Sequence, residues 1–345
     1  MEKETFLAAF REIPKAEIHL HLEDFLTGEA ASEEKIESLT KFVCVFREVQ
    51  DSLRSVEDLE VAFRNLTRYM NQNGVVYAEV FFSPGRYLRG GWMYENLVKF
   101  MECQLRSIRK THNLVIKLLV DVSRSHGIEK SRAILLDIIE HPSKDVIGIG
   151  LGGDEEIGAA ADYVDLFNMA REHNLRTVAH AGESANAQSI MDAVVLLKAE
   201  RIGHGTSAMH CDKTIELLVS KQIPLEVQPT SNIITGKYVK SLDEHPIKKF
   251  YERGVFVTLN TDDPNLFNVS LVEEYWNIYN TLGFLYEDLY KIIVNGFLAS
   301  FMPEAKKKDW IIRVNKKWNR QLKLSRRHYT DWQVDLKDFF TGRDY

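Results

Sequence analysis

Cysteine is scarce in this chain: Cys44, Cys103 and Cys211 are the three present in 345 residues, an odd number at wide spacing. That excludes a disulfide framework and an all-cysteine metal site, and it suits a reducing compartment. Long apolar runs are missing too, so no stretch reaches membrane-spanning length. The first residues, Met1-Glu2-Lys3-Glu4-Thr5-Phe6, carry acids where a signal peptide would be basic and then apolar. A cytoplasmic protein with no membrane partner is the expectation. Surplus positive charge is also lacking; a net charge of −6 argues against a nucleic-acid partner. No glycine-rich phosphate fingerprint follows the first strand-like segment, which speaks against a dinucleotide-binding sheet. Neither a solenoid period nor a low-complexity linker divides the chain, so a single domain over residues 1–345 is expected.

What is present is an alternation of two kinds of segment. Short apolar runs read as strands at Glu17–Leu22, Val75–Phe82, Val115–Val122, Val146–Leu151, Thr177–Glu183, Arg201–Gly205, Pro224–Val227 and Val255–Asn260. Between them lie stretches with apolar residues at three- and four-residue spacing, such as Leu59, Phe63, Leu66 and Met70 in Val56–Gln72. Strands too apolar for a solvent face, each followed by a helix, predict parallel pairing and a (β/α)8 TIM barrel over residues 14–300, with a C-terminal helical extension over residues 301–345. An open doubly wound sheet is the alternative.

In a barrel the chemistry collects where strands end, because every strand-to-helix loop opens on that face. The first strand ends with His19 and His21, two apart and therefore on one side of it. The fifth delivers His180 and Glu183, the sixth His204, and the eighth Asp262 and Asp263. Imidazoles and a carboxylate arriving from different strands suit a divalent cation, with zinc the default and iron or manganese alternatives. Taken singly, each has a plainer use: core histidines, a turn residue at His204, a helix cap at Asp262-Asp263-Pro264.

The same residues carry a resemblance. Pro14-Lys15-Ala16-Glu17-Ile18-His19-Leu20-His21-Leu22, Leu151-Gly152-Gly153-Asp154-Glu155, His180-Ala181-Gly182-Glu183, Arg201-Ile202-Gly203-His204-Gly205, Pro229-Thr230-Ser231-Asn232 and Asn260-Thr261-Asp262-Asp263-Pro264 resemble, in order, the motif series of the adenosine deaminase family, a metal-dependent branch of the amidohydrolase barrels. The resemblance runs from Pro14 to about Ala299 and leans toward the nucleoside branch rather than the free-adenine branch.

It implies one Zn²⁺ held by His19, His21, His180 and Asp262, which lowers the pKa of a bound water to about 7. It implies Glu183 as the proton shuttle to purine N1 and His204 as the group that holds the attacking hydroxide. Asp263 would contact purine N7, and the Gly153 N–H would meet N3. The substrate implied is a small 6-aminopurine nucleoside, adenosine or 2′-deoxyadenosine; deaminases with a Pro-Cys-x-x-Cys signature are excluded for want of the cysteine pair.

Three departures stand out. Glu23 occupies the place of an aspartate that reaches the ribose hydroxyls, so Glu23 is the expected sugar contact with a longer arm. The interval from Asp24 to Leu39 is short for a lid, which predicts an open mouth walled by Phe42, Val45 and Phe46 or, alternatively, those residues packed in the helix core. Gln228 stands where the family has a cysteine. An open mouth suits a substrate extended at its 5′ end, such as aminodeoxyfutalosine or an adenosine nucleotide. Other readings are a catalytically silent purine-binding module and a metal-dependent hydrolase of amides or phosphoesters. Beyond Pro303, lysines alternate with Trp310, Ile311, Trp318 and Leu322 at helical spacing, which predicts a packed helix with a solvated basic face. Trp332 and Phe339-Phe340 are candidates to dock on the barrel or a partner subunit.

Overall fold

The computed structural model describes residues 1–28, 30–31, 36 and 38–325. Eight strands follow one another in spatial order as they do in sequence: β1 Lys15–His21, β2 Val75–Phe82, β3 Val115–Asp121, β4 Val146–Leu151, β5 Arg176–Ala181, β6 Arg201–His204, β7 Leu225–Val227 and β8 Val257–Leu259. Each neighbouring pair is parallel. The last strand returns to the first through a parallel bridge from Leu20 to Asp262, with the His21 N–H donating to Asp262 O at 3.2 Å. That closure makes a (β/α)8 barrel and removes the open-sheet alternative.

Burial explains the strand composition. β2 carries Val80, Phe81 and Phe82 at 0% exposure, and the helix Leu59–Asn73 lays Leu59, Phe63, Leu66 and Met70 on its outer face. The apolar spacing read from the sequence is therefore the packing stripe. The Val56–Gln72 segment differs in one respect: Asp58 accepts the Ser55 N–H at 2.9 Å, making Val56–Asp58 a separate 3₁₀ turn before the helix proper. Gly74, in the left-handed region, ends that helix.

The helix Glu304–Ser325 packs on the preceding helix, Tyr286–Ala299. Trp318, 2% exposed, stands edge-on to Phe10 at 5.7 Å and to Tyr290 at 5.3 Å, so the extension is fastened to the barrel's N-terminal helix as well. Trp332 and Phe339-Phe340 lie outside the described residues. Among the described residues no helix is long and apolar enough to cross a membrane.

Candidate active site

The barrel brings His19, His21, His180, His204, Asp262 and Asp263 together at the C-terminal ends of β1, β5, β6 and β8. One potential ligand atom from each of His19, His180, His204 and Asp262 falls within 4.8 Å of the others; His21, Asp262 and Asp263 form a second such group. The His19 and His180 rings are 4.5 Å apart, and His21 sits 5.5 Å from each. His204 and Asp262 hold left-handed backbone at φ 63 and 69 without being glycine, a cost that chain closure and the surrounding contacts impose.

Four buried atoms in this cluster, His19 Nε2, His180 Nδ1, Asp262 Oδ1 and Asp263 Oδ1, have no well-formed hydrogen bond, Asp262 Oδ1 lying 3.4 Å from His19 Nε2 and 3.0 Å from His21 Nδ1. Buried polar atoms are seldom left so, and imidazole nitrogens with a carboxylate oxygen are the donor set zinc, iron and manganese take. The residues fit a divalent cation. His19 is already oriented for one: its Nδ1 donates to Glu226 Oε2 at 2.6 Å, which leaves Nε2 as the free lone pair. Arg201, 1% exposed, pairs with Glu226 at 2.5 Å and with Glu79 at 2.6 Å, which offsets the charge of both carboxylates.

His204 is set up differently. The Ile247 N–H donates to His245 Nδ1 at 3.2 Å, so the proton of this neutral ring is on Nε2, which faces Asn232 Oδ1 at 3.3 Å. Burial pulls His245 down to about 3, keeping it neutral. The Asn232 amide thereby turns its Nδ2 to His204 Nδ1, 2.9 Å away. His204, pulled down to about 4 chiefly by burial, therefore carries its proton on Nε2, 3.6 Å from Glu183 Oε2. It is a donor at that atom rather than a lone pair.

Glu183 is 4% exposed and accepts from Thr235 Oγ1 at 2.8 Å. Burial pushes its carboxyl up to about 8, and the Asp262 charge adds to the rise. Its backbone is pinned by Glu155, whose two oxygens take the Gly182 and Glu183 N–H groups at 2.8 Å each. Gly182 is required in that turn: φ is 73, and a Cβ would lie 2.5 Å from Ser207 Oγ.

A cavity of about 350 Å³ opens above the cluster. His21, His180, His204, Asp262 and Glu183 line its inner end, and Gly152 and Gly153 line one side. Gly153 has φ 85, and a Cβ there would approach Ser123 Oγ to 2.6 Å. Phe42, Val43 and Phe46 of the helix Leu39–Ser52 also line the cavity, and Phe42, Val45 and Phe46 belong to an apolar cluster with Ile36, Leu266 and Phe267. Phe42 and Phe46 thus both line the cavity and pack in the cluster, whereas Val45 only packs.

Glu23, on the short turn Leu22–Leu26, is fully buried, accepts the Ser83 N–H at 2.8 Å and is not part of the cavity lining. Asp263 is likewise buried behind the lining, with Oδ2 3.1 Å from His21 Nδ1.

Some residues that build the site escaped the sequence reading. Asp121, at the end of β3, lines the cavity, takes the Gly152 N–H at 2.9 Å and accepts from Ser83 Oγ at 2.9 Å. Ser231 and Asn232, members of a quoted motif to which the sequence assigned no role, sit on the short helix Pro229–Ile234, Ser231 Oγ donating to Asp262 Oδ2 at 2.7 Å and Asn232 meeting His204. Acids inside apolar strands, Glu79 and Glu226, were the available signal for the layer beneath.

An eight-stranded parallel barrel whose first, fifth and eighth strands end in histidines and an aspartate that could hold a metal ion has the architecture of the amidohydrolase class. The chain belongs to the adenosine deaminase family, whose sequence model, described as adenosine deaminase, matches residues 25–317. The family is metal-dependent, and its members are hydrolytic deaminases. The chain is 29% identical over 319 residues to an adenosine deaminase of Clostridium perfringens, covering 86% of this chain and 96% of that one. It is 35% identical over 263 residues to an aminodeoxyfutalosine deaminase of Streptomyces coelicolor, covering 76% and 68%. The solved adenine deaminase of Arthrobacter aurescens superposes with a TM-score of 0.83 at 25% identity, covering 89% and 99%.

Proposed function

We propose that the protein hydrolyses the 6-amino group of a purine nucleoside, converting adenosine or 2′-deoxyadenosine to inosine or 2′-deoxyinosine and ammonia. The observation that carries this reading is the pairing of a protonated Glu183 with a neutral, Nε2-protonated His204 at the inner end of the cavity. His19, His21, His180 and Asp262 would hold one Zn²⁺ per chain; His204, whose Nε2 carries a proton, is kept out of that set. Such a cation supplies a coordinated water acidic enough to yield hydroxide near neutral pH.

Glu183 gives its proton to purine N1 as C6 becomes tetrahedral, then takes the proton of the attacking oxygen and passes it to the departing amine. Water and the aminopurine thus become the oxopurine and ammonia. His204 donates from Nε2 to the attacking oxygen and steadies its charge. The Gly153 N–H meets N3 on the wall where a Cβ has no room. Asp263 can give a hydrogen bond to N7, an acceptor, only as the protonated acid, and burial raises it to about 6. Asp121, which lines the cavity, adds a carboxylate that can face the sugar.

A second reading, favoured by the arginines at the cavity mouth, is a 5′-extended adenosine such as aminodeoxyfutalosine or a nucleotide. Chromatography of adenosine and 2′-deoxyadenosine incubations tests the proposal: one ammonia per oxopurine nucleoside is expected, and unchanged substrate with intact, metal-loaded protein contradicts it.

A further inference from the structure

The outer part of the cavity differs in charge from the rest of this acidic chain. Arg47 on the helix Leu39–Ser52, Arg86 and Arg89 on the short helix Gly85–Arg89, and His126 in the loop after β3 all line it. Among the described residues, neither Arg47 nor Arg89 is in an ion pair. Arg86 is engaged by Asp51, its Nε 2.8 Å from Asp51 Oδ1. The one other carboxylate on this wall, Asp121, is occupied by Ser83 and the Gly152 N–H.

We propose that Arg47 and Arg89, flanked by Arg86 and His126, form a subsite for an anionic group, a phosphate or a carboxylate, carried beyond the sugar of the 6-aminopurine nucleoside. The inference rests on the deaminase reading for the purine end of the substrate. Two helices far apart in sequence converge three guanidinium groups on one opening, where their summed positive potential favours an anion. The convergence is felt by His126: burial and then the charges of Arg89, Lys130, Arg47 and Arg86 pull its imidazole down to about 4. It is therefore neutral at pH 7. Its ring packs against Gly85, where a Cβ would come within 2.5 Å of Nδ1. Guanidinium groups meet phosphate and carboxylate oxygens through paired N–H donors, which a neutral ribose end cannot use. The purine reaches the inner end beside Glu183 and Gly153, so a group held at this rim sits past the sugar.

The test compares kcat/KM of the metal-loaded full chain for adenosine, adenosine 5′-monophosphate and adenosine 5′-carboxylic acid. At least one anionic substrate should exceed adenosine, and the better of the two identifies phosphate or carboxylate as the group. That preference should fall about tenfold or more in an Arg47→Ala/Arg89→Ala double variant, as expected for lost charge-assisted hydrogen bonds. It should weaken with salt in the parent protein. Adenosine preferred over both, with ratios indifferent to the double substitution, overturns the subsite. Calorimetric binding of ribose 5-phosphate separates this proposal from the deaminase reading. If no nucleoside is turned over, binding that the double variant loses still upholds the subsite, and absence of binding overturns it.

Discussion

Glu226 Oε2 lies 2.6 Å from His19 Nδ1, and the same carboxylate is held from below by Arg201. The relationship fixes the His19 tautomer and aims its Nε2 at His180 and Asp262. In a Glu226→Gln variant the amide keeps the shape but no longer favours the Nδ1 proton. Metal affinity should fall about 10- to 100-fold, the usual effect of losing such a partner. Competition against a chromophoric chelator measures it; unchanged affinity contradicts the role.

In the proposed reaction Glu183 acts on the purine rather than on the cation. Glu183→Gln should lower turnover on the order of 10²- to 10⁴-fold, as loss of a positioned acid–base group does, with metal content and circular dichroism as in the parent. Near-normal turnover would remove Glu183 from the proton path.

Asn232 sets which nitrogen of His204 carries the proton. Asn232→Asp reverses the hydrogen bond, draws the proton to Nδ1 and takes the donor away from the attacking oxygen. Turnover should drop about 10²-fold or more, the cost of losing one oxyanion donor. Nitrogen-15 chemical shifts of His204 should show the tautomer change, and parent-like shifts would contradict it.

Metal binding should release protons. In the metal-free protein burial opposes protonation of His19 and His21, but the carboxylates of Asp262 and Glu226 hold His19 above its ordinary range, and the Asp263 charge holds His21 well above. Imidazole binds a cation only as the neutral base. The bound state therefore holds fewer protons, and affinity rises with pH until these groups are already deprotonated. Chelator competition between about pH 6 and about pH 8 should show a steady rise; a flat line contradicts the assigned groups.

The barrel was legible because its signals are local. Val75–Phe82 and Val146–Leu151 are bounded in the structure as their apolar runs are bounded in the sequence, by glycine, proline and charge. The strand-end histidines were legible because polar groups closing buried strands have few structural uses. The layer beneath was not. Arg201, Glu79 and Glu226 lie on three strands, and only closure of the sheet brings them within 2.6 Å of one another's carboxylates and guanidinium. The burial of Glu23 was not legible either, because one 3₁₀ turn decides how far a side chain is covered. The helix Pro229–Ile234 is six residues long, too short for periodicity to announce, although Pro229 at its first position marks its start.

Ammonia release from adenosine by metal-stripped protein, and by the same protein after Zn²⁺ is restored, tests the central claim most directly. The account predicts no release when stripped and full recovery on reloading, with one ammonia per oxopurine formed. Equal release in the two samples, or none from a fully zinc-loaded protein across adenosine and its anionic 5′ derivatives, would contradict it.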